Sequence, residues 1–151
     1  MNILAIDPAT QLGYAYTKGK GIKSGTESFH NNKWDSAGAR FLKFRAWLLL
    51  LPKPDVVAYE SVESHSSTYA AHAYGGYISI LQSFCDEHRI EYTGYPVGTI
   101  KKAWTGKGSA GKDAMIKAAR ERGFNPKDDN EADALAIYHL ALTELSPSQS
   151  D

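Results

Sequence analysis

Apolar positions along the chain follow two periods. Ile3, Leu4, Ala5 and Ile6 form an uninterrupted run that ends on Asp7, which predicts a short buried strand over 2–7. Leu12–Thr17 and Ile22–Phe29 predict two more strands, and Lys18-Gly19-Lys20-Gly21 between them is a hairpin signal. Trp34, Ala37, Phe41, Phe44, Leu48 and Leu51 recur at steps of three and four, the spacing of an amphipathic helix, which Pro52 and Pro54 stop. Val56, Val57, Ala58 and Tyr59 predict a fourth strand over 55–60, uniformly apolar and so central and parallel, ending on Glu60. A long helix follows over about 66–88, with Tyr69, Ala73, Tyr77, Ile80, Leu81 and Phe84 as its apolar positions. Then come a strand over 90–95, a short helix over 97–104, a Gly/Lys-rich loop over 105–111, and a helix over 112–122 closed by Gly123. Asp128 or Asp129 caps a last helix that runs to about Leu145, and 146–151 forms a frayed tail. Three hairpin-linked strands followed by alternating helices and strands predict an α/β fold. Its mixed five-stranded sheet carries helices on both faces, in one domain over 1–145.

Composition narrows the class without changing that picture. A chain of 151 residues with 42% hydrophobic and 23% charged residues is long and apolar enough for one globular core. The single Cys85 permits no internal disulfide, which suits a reducing compartment. The N-terminus has no basic-then-apolar leader, and the longest apolar run, Trp47–Leu51, is too short to span a bilayer. A cytoplasmic protein without a membrane partner is expected.

Net charge is zero, yet its distribution is uneven. Residues 98–127 hold eight Lys/Arg and two acids, whereas 128–151 hold six acids and no Lys or Arg. Such charge runs are commonly solvated helix faces. A basic stretch directly before an acidic one is also a footprint for a phosphate backbone beside a metal-charged site.

The acids carry the candidate chemistry. A carboxylate at the C-terminal end of a buried strand is costly unless a cation offsets its charge. Asp7 and Glu60 both occupy such ends, on the side where sheets of this kind present their ligands. Acids gather at helix N-termini because the dipole favours them, which explains Asp128, Asp129 and Glu131. That account covers Asp133 poorly, since it lies between Ala132 and Ala134 on the way into the apolar helix body. Positions 129, 130 and 133 share one helix face. Carboxylates without a Cys or His cluster suit hard cations such as Mg²⁺ or Mn²⁺. Two such ions about 4 Å apart activate water and stabilise a leaving oxygen in phosphodiester cleavage. A metal-dependent nuclease is therefore implied.

Two features invite other assignments. Gly106-Lys107-Gly108-Ser109-Ala110-Gly111-Lys112-Asp113 nearly spells a phosphate loop, but Asp113 stands where a hydroxyl is required and would repel phosphates. The segment is better explained as a flexible basic loop, with Lys112 near a helix N-terminus. His30, His65, His72, His88 and His139 show no metal-ligand spacing, and His139 falls off the face of Asp133. Tyr69, Tyr74 and Tyr77 suit the core, or one of them stacks on an unpaired base.

The chain resembles the RuvC-type Holliday-junction resolvases, which have the RNase H-like fold, over most of its length. Asp7 matches the family's first-strand motif, Glu60 its A-x-E motif, and Asp133 its D-A-L-A-I helix motif. Gly108-Ser109-Ala110-Gly111-Lys112 looks like the family's basic loop, with Lys112 as the catalytic lysine and Lys101 as a second basic position. The small form with Asp-Asp-Asn-Glu-Ala-Asp-Ala resembles phage-encoded members. Ala9 and Asn130 depart from common family residues, so the fourth metal group is Asn130 or Asp129. Glu63 lies where some members place a base-stacking aromatic, which shifts that expectation to Tyr69. The resemblance implies a homodimeric crossover junction endodeoxyribonuclease without a nucleotide cofactor, which nicks four-way DNA junctions in pairs through two Mg²⁺ or Mn²⁺ ions. Asp7, Glu60, Asp133 and Lys112 would be catalytic, and Lys101, Lys102, Lys107, Lys112 and Tyr69 would meet DNA. An apolar surplus on the long helix would supply the two-fold interface. Same-fold activity on flaps, forks or RNA is the near alternative. An ATP-binding domain of the actin or sugar-kinase kind is the distant one.

Overall fold

The computed structural model describes residues 1–145, so the expected frayed tail at 146–151 lies outside the described residues. The elements run β1 (Ile3–Asp7), β2 (Gln11–Lys18), β3 (Gly21–Ser28), α1 (Ala39–Leu50), β4 (Val56–Ser61), α2 (Thr68–His88), β5 (Glu91–Pro96), α3 (Val97–Thr105), α4 (Lys112–Glu121) and α5 (Asp129–Leu145). The five strands form one sheet in the order β3-β2-β1-β4-β5. β1 pairs antiparallel with β2 and β2 with β3, while β1–β4 and β4–β5 are parallel. This is the mixed sheet that the element order predicts.

Strand alternation splits the core into two layers. Ile3 and Ala5 of β1, Ala15 of β2, and Val56 and Ala58 of β4 face α3, α4 and α5. Leu4, Ile6, Val57 and Tyr59 face α1 and α2, together with Leu12 and an aromatic group of Phe29, Phe44 and Tyr77. The layers differ in side-chain size. The α5 layer is rich in alanine, with Ala132, Ala134, Ala136 and Ala141 all buried, so α5 lies close against the sheet. Among the described residues, no helix is long and apolar enough to cross a membrane.

Helix boundaries follow local chemistry. Ser67 caps α2 by accepting from the Ala70 amide at 3.0 Å. Asp128 does the same for α5, accepting from the Glu131 amide at 2.8 Å. Gly123 follows α4 at φ 89°, the left-handed C′ position expected of it.

Two expectations are corrected. Trp34 and Ala37 do not begin α1, which starts at Ala39. Polar side chains divert the backbone first: the Asn32 amide donates to Asp35 Oδ2 at 2.8 Å and the Trp34 amide to Asn32 Oδ1 at 3.0 Å. Such local bonds compete with a helical turn. The apolar surplus expected on α2 is smaller than its sequence suggests, with Tyr69 left exposed and Ile78 and Ile80 partly buried. Tyr77, Leu81, Phe84 and Cys85 turn into the chain's own core, and the outward face presents His72, Gly75, Ser79 and Ser83.

Candidate active site

The side-chain period that builds the α5 layer also places the acids. Asp7 lies two positions after Ala5, and Glu60 two after Ala58, so both carboxylates point to the α5 side of the sheet. β1 and β4 are parallel neighbours in register, with Ile6 opposite Tyr59, which brings their C-terminal ends side by side. The Asp7 and Glu60 carboxyls share a hydrogen bond. α5 then delivers Asp129 and Asp133 from the opposite end of the chain. Its start is pressed against β2, where Gly13, paired with Asp7 across the strands, meets the Asn130 backbone.

Two tyrosines of α2 brace the strand ends. The Tyr74 hydroxyl donates to the Glu60 carbonyl at 2.8 Å and accepts from the Val62 amide at 3.1 Å. The Tyr77 hydroxyl donates to Thr10 Oγ1 at 3.2 Å, in the loop after Asp7. The sequence allots these tyrosines to core or to stacking. Their spacing of three on a helix beside two acid-bearing strand ends was the available signal for a positioning role.

The acids raise one another's affinity for protons. Burial, then Glu60, Asp133 and Asp129, hold the Asp7 carboxyl well above the usual carboxylate range. Burial raises Glu60 too, against the Lys101 ammonium and the bond from Asp7, which lower it. Asp133 is pushed up to about 7 by burial, Glu60 and Asp129, with Lys101 and Lys112 opposing. Lys112 Nζ lies 3.8 Å from Asp129 Oδ2 and is otherwise solvent-exposed. Lys101 is half-buried and acts on both Glu60 and Asp133, so it stands nearer the centre than its sequence position suggests.

The remaining candidates divide. Asp7 and Glu60 line a cleft of about 430 Å³ with Pro8, His30, His65, Tyr69 and Tyr74. Tyr69 is 69% exposed on its wall, with its hydroxyl 3.0 Å from Arg40 Nη1. Asn130 enters through its backbone contact with Gly13, whereas Asp129 acts electrostatically on Asp7 and Asp133. Lys102 and Lys107 are exposed near the end of α3 and in the following loop. His139 packs on Trp104, with ring centroids 5.5 Å apart, in the α5 layer. Among the described residues, no three His, Cys, Asp or Glu side chains are drawn onto one point in ligand geometry. The four acids are close enough to interact strongly, and their all-oxygen donor set fits a hard divalent cation.

This crowding has a stability signature. Below about pH 4 both the folded and unfolded chain hold a proton at Asp133, and the site costs nothing. As pH rises, the unfolded chain releases a proton that the folded protein retains, so stability falls until the folded carboxyl ionises near 7. In chelator at pH 8, Asp133→Asn should therefore raise stability by up to about 4 kcal/mol. The gain should vanish near pH 4, and scanning calorimetry across that range checks it.

No family model matches the chain. It is 31% identical to the crossover junction endodeoxyribonuclease RuvC of Anaeromyxobacter sp. (strain K), over 93% of this chain and 81% of that protein. It is 29% identical to the RuvC of Brachyspira hyodysenteriae, over 91% of each. Thermus thermophilus RuvC, solved in complex with a Holliday junction substrate, superposes with a TM-score of 0.75 at 25% identity, over 91% of this chain and 90% of that one. A yeast mitochondrial Holliday junction resolvase shares the fold, with a TM-score of 0.61 at 12% identity. Taken with the acids that β1, β4 and α5 bring to one sheet edge, this similarity over nearly the whole chain means that it belongs to the RuvC family of crossover junction endodeoxyribonucleases.

Proposed function

We propose that the protein resolves four-way DNA junctions by paired, metal-dependent nicks, acting as a homodimer. The observation that carries this reading is the meeting of Asp7, Glu60, Asp129 and Asp133 beside Lys101 and Lys112. The Thermus relative, solved with a Holliday junction substrate, supports the choice of DNA. Asp7, Glu60 and Asp133 hold two Mg²⁺ or Mn²⁺ ions, and the fourth group is Asp129, which acts electrostatically on Asp7 and Asp133, or Asn130 through its amide oxygen. The bound ions would supply an activated water and offset charge on the leaving oxygen.

The chain's own residues do the rest. Tyr74 and Tyr77 hold the two strand ends, so the carboxylates are fixed before substrate arrives. Lys101 and Lys112 set positive charge where the phosphate oxygens gain negative charge. Lys101→Ala and Lys112→Ala should each lower single-turnover cleavage by roughly ten- to a thousandfold with little change in junction affinity. Lys107→Ala should do the reverse, weakening binding and reducing the salt slope by about one unit. Wild-type cleavage by the first two variants on saturated junction would remove the lysines from the chemistry.

Leu42, Leu49 and Leu50 are exposed on α1, an apolar patch that a second copy of the chain would cover. A two-fold dimer supplies the two matched sites that paired nicking needs. The direct test compares cleavage of a four-way junction, a fork, a flap and an RNA–DNA hybrid in Mg²⁺. Junctions should be cut fastest, in symmetric pairs, by a species that sediments as two chains. Preferential cutting of forks, flaps or hybrids, or a monomer at micromolar concentration, would overturn this reading.

A further inference from the structure

The segment between β3 and α1 carries an exposed aromatic that neither the fold nor the proposed chemistry uses. Trp34 is 86% exposed, while Trp104 is buried and Trp47 packs into the aromatic group around Phe29 and Phe44. An indole left in water forgoes the burial that usually accounts for a tryptophan.

Its position is set by the sheet. β3 runs antiparallel to β2 with Gln11 opposite Ser28, and β2 pairs with β1 so that Gly13 lies opposite Asp7. The end of β3 therefore emerges at the sheet edge that carries Asp7, and the Phe29 amide donates to the Thr10 carbonyl at 2.8 Å. His30, the next residue, lines the acidic cleft itself.

The loop is braced rather than loose. Asp35 accepts from the Asn32 amide at 2.8 Å and pairs with Lys43 at 2.5 Å, and Lys43 also donates to the His30 carbonyl at 3.5 Å. The ion pair neutralises the loop's one carboxylate. What remains on offer is the Trp34 ring with the Lys33 ammonium 5.1 Å from its centre. With the Lys33 ammonium over one face, the exposed ring still offers its other face, and a stacking surface backed by a cation is the combination that holds an unpaired base and its phosphate.

We propose that Lys33 and Trp34 form an accessory nucleic-acid contact, in which Trp34 stacks on an unpaired base near the branch point and Lys33 meets the adjoining phosphate. This deepens the junction-resolving reading and rests on it. The contact positions substrate and takes no part in bond cleavage.

The test uses the full-length protein and a synthetic four-way junction, with binding read by anisotropy and cleavage by single turnover at saturation. Trp34→Ala should weaken junction binding by roughly 5- to 100-fold with the saturated rate unchanged, and Trp34→Phe should restore most of the affinity. Lys33→Ala should reduce the salt slope by about one unit, whereas Trp34→Ala should leave it alone. Junction binding should also quench a tryptophan emission component that Trp34→Phe lacks. Wild-type affinity in Trp34→Ala, or an emission unmoved by saturating junction, overturns the proposal. So does a Trp34→Ala variant that keeps its DNA affinity but changes sedimentation, since the loop would then meet a second copy. Failure of wild-type protein to bind the junction would count against the function itself, which separates the two claims.

Discussion

Asp7→Asn should reduce junction cleavage by roughly 10³-fold or more while the protein stays folded and still binds the junction. Asp7 sits at the centre of the acid group: Glu60, Asp133 and Asp129 all act on its carboxyl, and Glu60 shares a hydrogen bond with it. An amide keeps the shape and can still donate to Glu60, so packing between β1 and α5 survives. It removes the charge that a cation requires. Loss of that charge also lowers repulsion toward phosphate, so affinity is held or improved. A readout independent of activity accompanies this. Millimolar Mg²⁺ at pH 8 should raise the melting temperature of wild-type protein by linkage, and Asp7→Asn should lose most of that rise. Near-normal cleavage by Asp7→Asn in Mg²⁺ would sink the metal assignment. An Asp7→Asn melting curve still shifted like wild type by Mg²⁺ would move the ions elsewhere.

The second large effect lies at a residue with no chemistry of its own. Gly13→Ala should lower stability by about 3 kcal/mol or more, a fall of roughly 6–12 °C in melting temperature. A Cβ on Gly13 would sit inside the van der Waals envelope of the Asn130 carbonyl oxygen and carbon. The obstacle is backbone at the first turn of α5, which cannot rotate away as a side chain would. Either β2 or the start of α5 must shift, and Asp129 and Asp133 move with the latter. Cleavage should therefore fall along with stability. Gly75→Ala is the contrast: a Cβ there meets nothing within 4 Å, and the residue lies on the outer face of α2. That change should be neutral or stabilise by about 0.5–1 kcal/mol. A Gly13→Ala protein that melts within a degree of wild type would show that α5 does not press on the sheet here.

The two sites differ in how far they were legible beforehand. Asp7 and Glu60 end apolar runs, and the two-residue period of a strand puts each on the face of the alanine before it. That much needs no coordinates, because alternation is a property of the backbone. The hairpin, the cap at Asp128 and the stop at Gly123 likewise follow from short-range patterns. Gly13 carried no such signal. Its importance comes from a helix more than a hundred residues later in the chain, and no local pattern encodes that approach.

The same division explains the errors. The helical spacing from Trp34 to Leu51 is real, but hydrogen bonds among Asn32, Trp34 and Asp35 redirect its first turns and leave the indole in water. Of the apolar residues on α2, the chain's own core uses Tyr77, Leu81 and Phe84, while Tyr69 stays exposed. Whether an apolar residue is spent inside the chain or left outside depends on what packs against it.

By itself, the sequence determined the elements, their order, the acids at the strand ends and the kinship with junction resolvases, because these rest on backbone periodicity and on residues read in place. Only the tertiary structure placed Asp129 and Asp133 in electrostatic contact with Asp7, set Lys101 to act on both Glu60 and Asp133, and left Trp34 exposed. Those outcomes depend on distances between segments far apart in the chain. Such distances are set by how closely an alanine-lined helix can settle on an alanine- and glycine-bearing sheet.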